Sequence, residues 1–178
     1  MLYQIKAELK AIEPPIWRLL QVPSRTSLLR FHKILQRAMG WTNSHVYLFN
    51  IGGKLYGDPS PDWGLEVLDS RKVTLEKNFS EGETSFIYEY DMGDGWRHEI
   101  NLLATVEAEG EEKPRCIAGA RACPPEDCGG TGGYYHLLVA LADPDHKDHY
   151  DMMRWLGKTF DPEAFDLAAV DLALKRLR

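Results

Sequence analysis

Apolar and polar residues alternate from Leu2 to Leu9, with Tyr3, Ile5, Ala7 and Leu9 opposed to Leu2, Gln4 and Lys6. A period of two marks a strand with one face on a core. Pro14-Pro15 breaks the run, and Ile16 to Val22 predicts a second strand. Pro23-Ser24-Arg25-Thr26 is a turn that ends in a helix cap. The period then lengthens: Leu28, His32, Leu35 and Met39 fall on one helical stripe, predicting a helix over Ser27 to Met39. Thr26 or Ser27 can cap its start, and Gly40 suits the left-handed position after its end. His45 to Ile51 predicts a strand, Gly52-Gly53 a tight turn and Lys54 to Tyr56 a short return. Asp58 to Leu68 reads as an ordered loop and Val73 to Leu75 as a short edge.

A hairpin follows. Phe86, Tyr88 and Tyr90 alternate on one arm, and Trp96, His98, Ile100 and Leu102 on the other, which runs on to about Val106. The connector Asp91-Met-Gly-Asp-Gly95 carries Asp-Gly turn chemistry. Glu107 to Lys113 is a polar loop. In the last third, Tyr134, Leu137, Leu138 and Leu141 form one helical stripe, and His149, Met152, Met153 and Leu156 another. Asp161 as cap and Pro162 at the first helical position predict a third helix, carrying Phe165, Ala169 and Leu172. The fold class is therefore α+β: an antiparallel sheet with one helix inserted early and about three helices in the C-terminal third. We read residues 1–178 as one domain, sheet-rich over 1–107, with a cysteine loop and helical part over 114–178.

Composition adds bounds. A chain of 178 residues with 44% hydrophobic and 27% charged residues buries enough surface to fold without disulfides. No apolar run approaches the roughly 20 residues that span a bilayer, so no membrane partner is expected. The start, Met-Leu-Tyr-Gln-Ile-Lys, lacks a signal-peptide core, so a cytoplasmic location is expected. A net charge of −6 disfavours nucleic acid overall. It leaves room for a local basic face, and Arg30, Lys33 and Arg37 form one on the first helix. That face is the candidate nucleic-acid contact.

The three cysteines, Cys116, Cys123 and Cys128, fall within a single short run. Thiolates bind zinc, and a structural zinc takes four Cys or His ligands. A fourth ligand would have to be a histidine; His98 on the hairpin is the leading candidate, and His136, soon after the glycine turn, stands beside it. The C-x6-C-x4-C spacing departs from the usual C-x2–4-C pairs, so inert packing thiols and a Cys116–Cys123 redox or structural pair stand beside zinc. The run Gly129-Gly-Thr-Gly-Gly133 before Tyr134 is neither a Walker A nor a complete G-x-G-x-x-G, and reads as a turn needing positive φ. Asp143 to Asp151 lacks the Glu an EF-hand needs twelfth, where Arg154 stands. There is no H-E-x-x-H and no G-x-S-x-G. Most of the aromatic residues belong to a core. Trp41 and Trp96, beside turns, can instead line a groove, with Asp91, Asp94 and Arg97 as further partner-binding candidates.

Four runs carry a resemblance to a known family. They are Ile16-Trp17-Arg18 to Val22-Pro23, then Leu28 to His45 with Phe31-His32 and Gly40-Trp41-Thr42, then Tyr90 to Ile100. The fourth holds Cys116, Cys123-Pro-Pro-Glu-Asp127, Gly129-Gly130, Asp143-Pro-Asp-His146 and Asp161-Pro-Glu-Ala-Phe165. With them the chain resembles the plasmid pRiA4b ORF-3-like family, also described as insertion-element passenger or TnpR-like proteins. The resemblance implies an α+β domain found near mobile elements, without an established catalytic activity. A resolvase needs a nucleophilic Ser within an Arg cluster, and no such set is present. The function expected is a non-catalytic binding or accessory module for an unknown protein or peptide partner. The alternatives are a metal- or thiol-dependent enzyme built on Cys116 and Cys123 with His98 and Asp127, and nucleic-acid binding through the first helix.

Overall fold

The elements follow from this patterning, with five departures. One is a short strand at Val67–Asp69, which takes up the end of the stretch expected to be loop because it finds a parallel edge at Leu55–Gly57. The computed structural model describes residues 1–59, 64–108, 110 and 112–177. In chain order it has β1 (Leu2–Leu9), β2 (Ile16–Pro23), α1 (Leu28–Met39), β3 (Tyr47–Ile51), β4 (Lys54–Gly57), β5 (Val67–Asp69), α2 (Leu75–Ser80), β6 (Ser85–Tyr90), β7 (Trp96–Val106), β8 (Arg115–Ala120), α3 (Gly130–Ala142), α4 (His149–Leu156) and α5 (Leu167–Lys175). The described strands form one sheet in the order β5-β4-β3-β6-β7-β1-β2-β8. Only β4 and β5 run parallel. The fold is α+β, as the patterning predicts.

The departures have physical causes. Cys116 lies in strand β8, not in a loop: the half-polar run Arg115–Ala120 pairs with β2, and the pairing supplies what alternation does not show. Val73–Leu75 is not an edge strand. Thr74 bridges to Ser27, and its hydroxyl caps the short helix α2. The last helix starts at Leu167 under an Asp166 cap, whereas Asp161-Pro162 makes a turn in which the Asp161 carboxylate accepts from Glu163 N–H. The third strand starts at Tyr47, because Ser44 and His45 give their N–H groups to the Tyr90 hydroxyl instead of a ladder. Trp63 and the centre of the 58–68 loop lie outside the described residues.

Register places the core on one face of the sheet. Tyr3, Ile5, Ala7 and Leu9 are buried and the alternate residues of β1 half-buried. Across the ladders, Leu9 opposes His98 and Ile16, and Tyr88 opposes His98 and Phe49. Helix α1 covers this face with Leu28, Phe31, His32, Ile34, Leu35, Gln36, Ala38 and Met39. Ser27 caps it and Gly40 ends it at φ 91°, as predicted. Helix α5 is pinned against β8 through Asp171, whose carboxylate accepts from Cys116 N–H and pairs with Lys175 at 2.8 Å and Arg115 at 3.3 Å.

One inward residue of β2 is a cation. Arg18 is 3% exposed and has no carboxylate partner among the described residues. Its five N–H groups instead go to the carbonyls of Ala38, Trp17, Ala120 and Arg121 and to the Cys123 sulfur. Phe165 lies over the guanidinium at 4.5 Å. Gly119, opposite Arg18 in the ladder, is what makes room: a Cβ there would meet the Phe165 ring at 2.5 Å.

Arg18→Lys tests this arrangement. Lysine keeps the charge and offers three donors from one nitrogen, so at least two buried acceptors lose their partner. We expect a stability loss of about 2–4 kcal/mol at an unchanged m-value in urea denaturation. A loss below about 0.5 kcal/mol, the range of an ordinary surface change, would show that the guanidinium fork is not needed.

Candidate functional site

Three loops meet at one end of the sheet: 41–46 after α1, 91–95 between β6 and β7, and 121–130 after β8. Each carries part of the motif runs noted in the sequence. Trp41 donates its indole N–H to Pro124 O at 2.9 Å. Thr42 gives its backbone N–H and its hydroxyl to Glu126. Tyr90 donates to the same carboxylate at 2.6 Å. Burial opposes the Glu126 charge, but these hydrogen bonds and nearby His45 outweigh it and hold the pKa below its ordinary value. Asp94 accepts from Gly129 N–H, so an amide at the start of α3 already faces a carboxylate. Gly129 and Gly130 hold φ of 89° and 65°, the turn expected of the glycine run. A Cβ on Gly130 would meet Asp94 O at 2.5 Å.

Beneath these loops lies a closed polar ring. Gln36 donates to the Tyr88 hydroxyl at 2.9 Å, and Tyr88 lies 2.8 Å from His32 Nδ1. His32 Nε2 lies 2.5 Å from Asn43 Oδ1, and Asn43 N–H returns to Gln36 Oε1 at 3.1 Å. Because Asn43 Oδ1 only accepts, His32 carries its proton on Nε2, and Tyr88 donates to Nδ1. Burial drives the His32 pKa down to about 4. The imidazole stacks on Tyr47 at 3.6 Å, and Tyr47 reaches Ser70 at 2.8 Å.

Above the ring opens a cleft of about 720 Å³ lined by His32, Asn43, His45, Val46, Tyr47 and Met92, among others. At its rim His45 Nε2 lies 3.0 Å from Asp127 Oδ1 and 3.6 Å from Asp91 Oδ2. Asn43, Asp91 and Asp127 are left-handed at φ 61°, 58° and 59°, a conformation Asn and Asp tolerate best. His45, Asp91 and Asp127 offer donor atoms within 4.8 Å of one another, as do His136, His146 and Asp148 between α3 and α4.

The thiols expected to bind zinc do not converge with His98 in any such group among the described residues. Cys123 packs on Met39 and accepts from Arg18, Cys116 bonds Ala118 O, and Cys128 contacts Gly130 O. All three are free, so no Cys116–Cys123 disulfide is formed. Burial pushes Cys116 and Cys123 up to about 11 and Cys128 to about 12, the wrong direction for a nucleophile. His98 is fully buried beside Trp41 and Tyr88; its two nitrogens make no well-aligned hydrogen bond, though backbone groups of Trp96 and Tyr88 lie close enough to favour its charged form in part.

The expected groove walls shift likewise. Trp41 and Trp96 are 5% and 1% exposed and stack on each other, so they support the loops instead of lining a surface. Arg97 pairs with Glu89 on the opposite face. Asp94 is engaged with Gly129, and Asp91 alone of that set belongs to the cleft's rim. On α1, Arg30 is half-buried and donates to Leu177 O, leaving Lys33 and Arg37 as the exposed charges. The residues that sequence reasoning passed over as site candidates, His32, Gln36, Asn43, His45 and Glu126, all fall in the motif runs themselves.

Residues 1–169 match the family described as plasmid pRiA4b ORF-3-like protein. The chain belongs to that family. This pRiA4b ORF-3-like protein is 39% identical over 176 residues to the uncharacterized protein y4hQ of Sinorhizobium fredii, covering 98% of this chain and 91% of that one. It also resembles the crystal structure of a protein of unknown function, MM3350, from Methanosarcina mazei Go1. That match has a TM-score of 0.86 at 35% identity, over 94% of this chain and 95% of that chain.

Burial also lowers the His98 pKa to about 4 from its ordinary 6.5. Between pH 6.5 and 4 the unfolded chain then binds more protons than the folded one, so stability falls as pH drops through that window. His98→Leu removes two buried nitrogens that make no well-aligned hydrogen bond. It should leave stability at pH 7 unchanged or higher and shrink the acid loss, followed by urea denaturation at each pH. An equal acid loss in variant and parent would show that the fold does not hold His98 neutral.

Proposed function

We propose that this protein is a non-catalytic binding module, an accessory protein of the mobile-element setting that the family resemblance implies. Its cleft takes a short segment of a protein partner that presents an apolar or aromatic side chain. The observation that carries this reading is that two of the motif-bearing loops line the cleft, through Asn43, His45 and Val46 on one side and Met92 on the other. Its volume lies in the range of ligand pockets, about 300–1,000 Å³. Its floor is the flat His32–Tyr47 stack, and its mouth holds Val46 and Met92, 51% and 38% exposed. Asn43 and Ser70 supply polar edges.

Chemistry weighs on the same side. A thiol enzyme on Cys116 and Cys123 would need depressed pKa values, and both are raised. His32 spends both nitrogens inside the polar ring. A rigid, internally satisfied floor favours recognition, because it loses little freedom when a ligand binds.

Saturation-transfer NMR with N-acetyl-phenylalaninamide and N-acetyl-leucinamide tests the reading. Both probes should receive transfer from the wild-type protein. Val46→Arg and Met92→Arg should each abolish it while the melting temperature holds within a few degrees. Transfer that persists in both variants, or is absent from the wild type, would remove the cleft as the binding site.

A further inference from the structure

We propose that His45, Asp91 and Asp127 form a site for one divalent transition-metal ion at the rim of the cleft, bound through His45 Nε2, Asp91 Oδ2 and Asp127 Oδ1. The site stands on its own donors and does not depend on what the cleft holds.

The distances are those of donors around a shared ion. Zinc bonds of about 2.0–2.2 Å to imidazole and carboxylate place tetrahedral donors about 3.3–3.6 Å apart, and octahedral neighbours about 3.0 Å apart. His45 Nε2 lies 3.0 Å from Asp127 Oδ1 and 3.6 Å from Asp91 Oδ2. A hydrogen bond also spans 3.0 Å, but Nε2 makes none: the atom is buried, and the carboxylate oxygen lies off its N–H direction. Donor atoms this close with no hydrogen bond between them have the spacing of two ligands of one ion.

Asp91 gives an independent sign. The residue is 7% exposed. Its Oδ1 accepts from Gly93 and Asp94 N–H at 3.0 and 3.3 Å, which fixes the carboxylate's orientation. Its Oδ2 accepts no hydrogen bond among the described residues and faces His45. Among the described residues no Lys or Arg pairs with it, and a carboxylate largely withdrawn from water favours a cation. The two backbone donors on Oδ1 play the part that outer hydrogen bonds play in metal sites, aiming the ligand atom. One imidazole with two carboxylates suits ions such as zinc, cobalt or manganese better than calcium or copper(I). Three protein ligands leave coordination positions for water or a ligand group on the cleft side. The donors come from three loops, at positions 45, 91 and 127, so an ion would also tie those loops together.

Calorimetric titration of the untagged, EDTA-treated protein with Zn²⁺ tests the site, with Co²⁺ absorption reporting the donor set. The expected result is one Zn²⁺ per chain, a Co²⁺ spectrum free of thiolate charge-transfer bands, and a melting temperature that rises with added Zn²⁺. His45→Ala and Asp127→Asn should each weaken Zn²⁺ binding at least tenfold. Asp127 is 68% exposed in its side chain, so its variant should fold even if Asp91→Asn does not. His136→Ala, which alters the other donor group, and Cys123→Ser should leave affinity unchanged. The proposal is overturned if no Zn²⁺ binds. It is equally overturned if His45→Ala and Asp127→Asn bind as the parent does, or if binding is lost with His136→Ala or Cys123→Ser instead.

Discussion

The Arg18 guanidinium holds the two halves of this protein together. Burying a cation is costly unless its donors are met. Here the compensation comes entirely from backbone carbonyls and a sulfur. Those acceptors belong to β2, to the C-terminal end of α1, to the end of β8 and to the segment after it. Ala38 O lies at the negative end of the α1 dipole, where a cation is favoured. The arrangement fixes where α1 ends and where the chain leaves the sheet at Arg121. Both matter downstream, because Trp41 and Pro124 are the next residues on each side to touch.

From that clamp the site follows as a consequence of chain geometry. Once α1 ends at Gly40 and β8 at Ala120, the 41–46 and 121–130 loops must run past each other, and Glu126 joins them by accepting from Thr42 and Tyr90. The polar ring of Gln36, Tyr88, His32 and Asn43 sits below, each member satisfied by the next. Its buried members, Gln36, Tyr88 and His32, hold one another in place, since losing one leaves buried groups unpaired. Trp41, Trp96 and Tyr90 stack beside it, and Asn43 stays exposed on the cleft side. His45 is left at the edge, between the cleft and two carboxylates.

The thiols illustrate how a sequence cluster dissolves in three dimensions. Cys116 and Cys123 are close along the chain, but a strand end and a left-handed turn at Arg121 lie between them. Cys116 faces the α5 side through Asp171, and Cys123 faces Met39 under α1. Each became a packing residue with a raised pKa. The carboxylates and histidine of the rim show the converse, since positions 45, 91 and 127 share no local pattern.

Much of the fold was legible in the sequence, because alternation and helical stripes record which side of an element meets a core. β1, β2, α1 and the β6–β7 hairpin were readable for that reason, as were the Ser27 and Gly40 caps of α1. The motif runs also marked the right loops. Tertiary structure alone decided the rest. β8 has little alternation of its own and exists because β2 offers it an edge. The last helix begins at Leu167 because Phe165 must first lie on Gly119 over Arg18. Whether a tryptophan beside a turn lines a groove or fills a core depends on what packs over it, as at Trp41 and Trp96. The grouping of His45 with Asp91 and Asp127 was likewise invisible, since local patterning specifies faces and turns, whereas a site is made by which loops the closed sheet brings side by side.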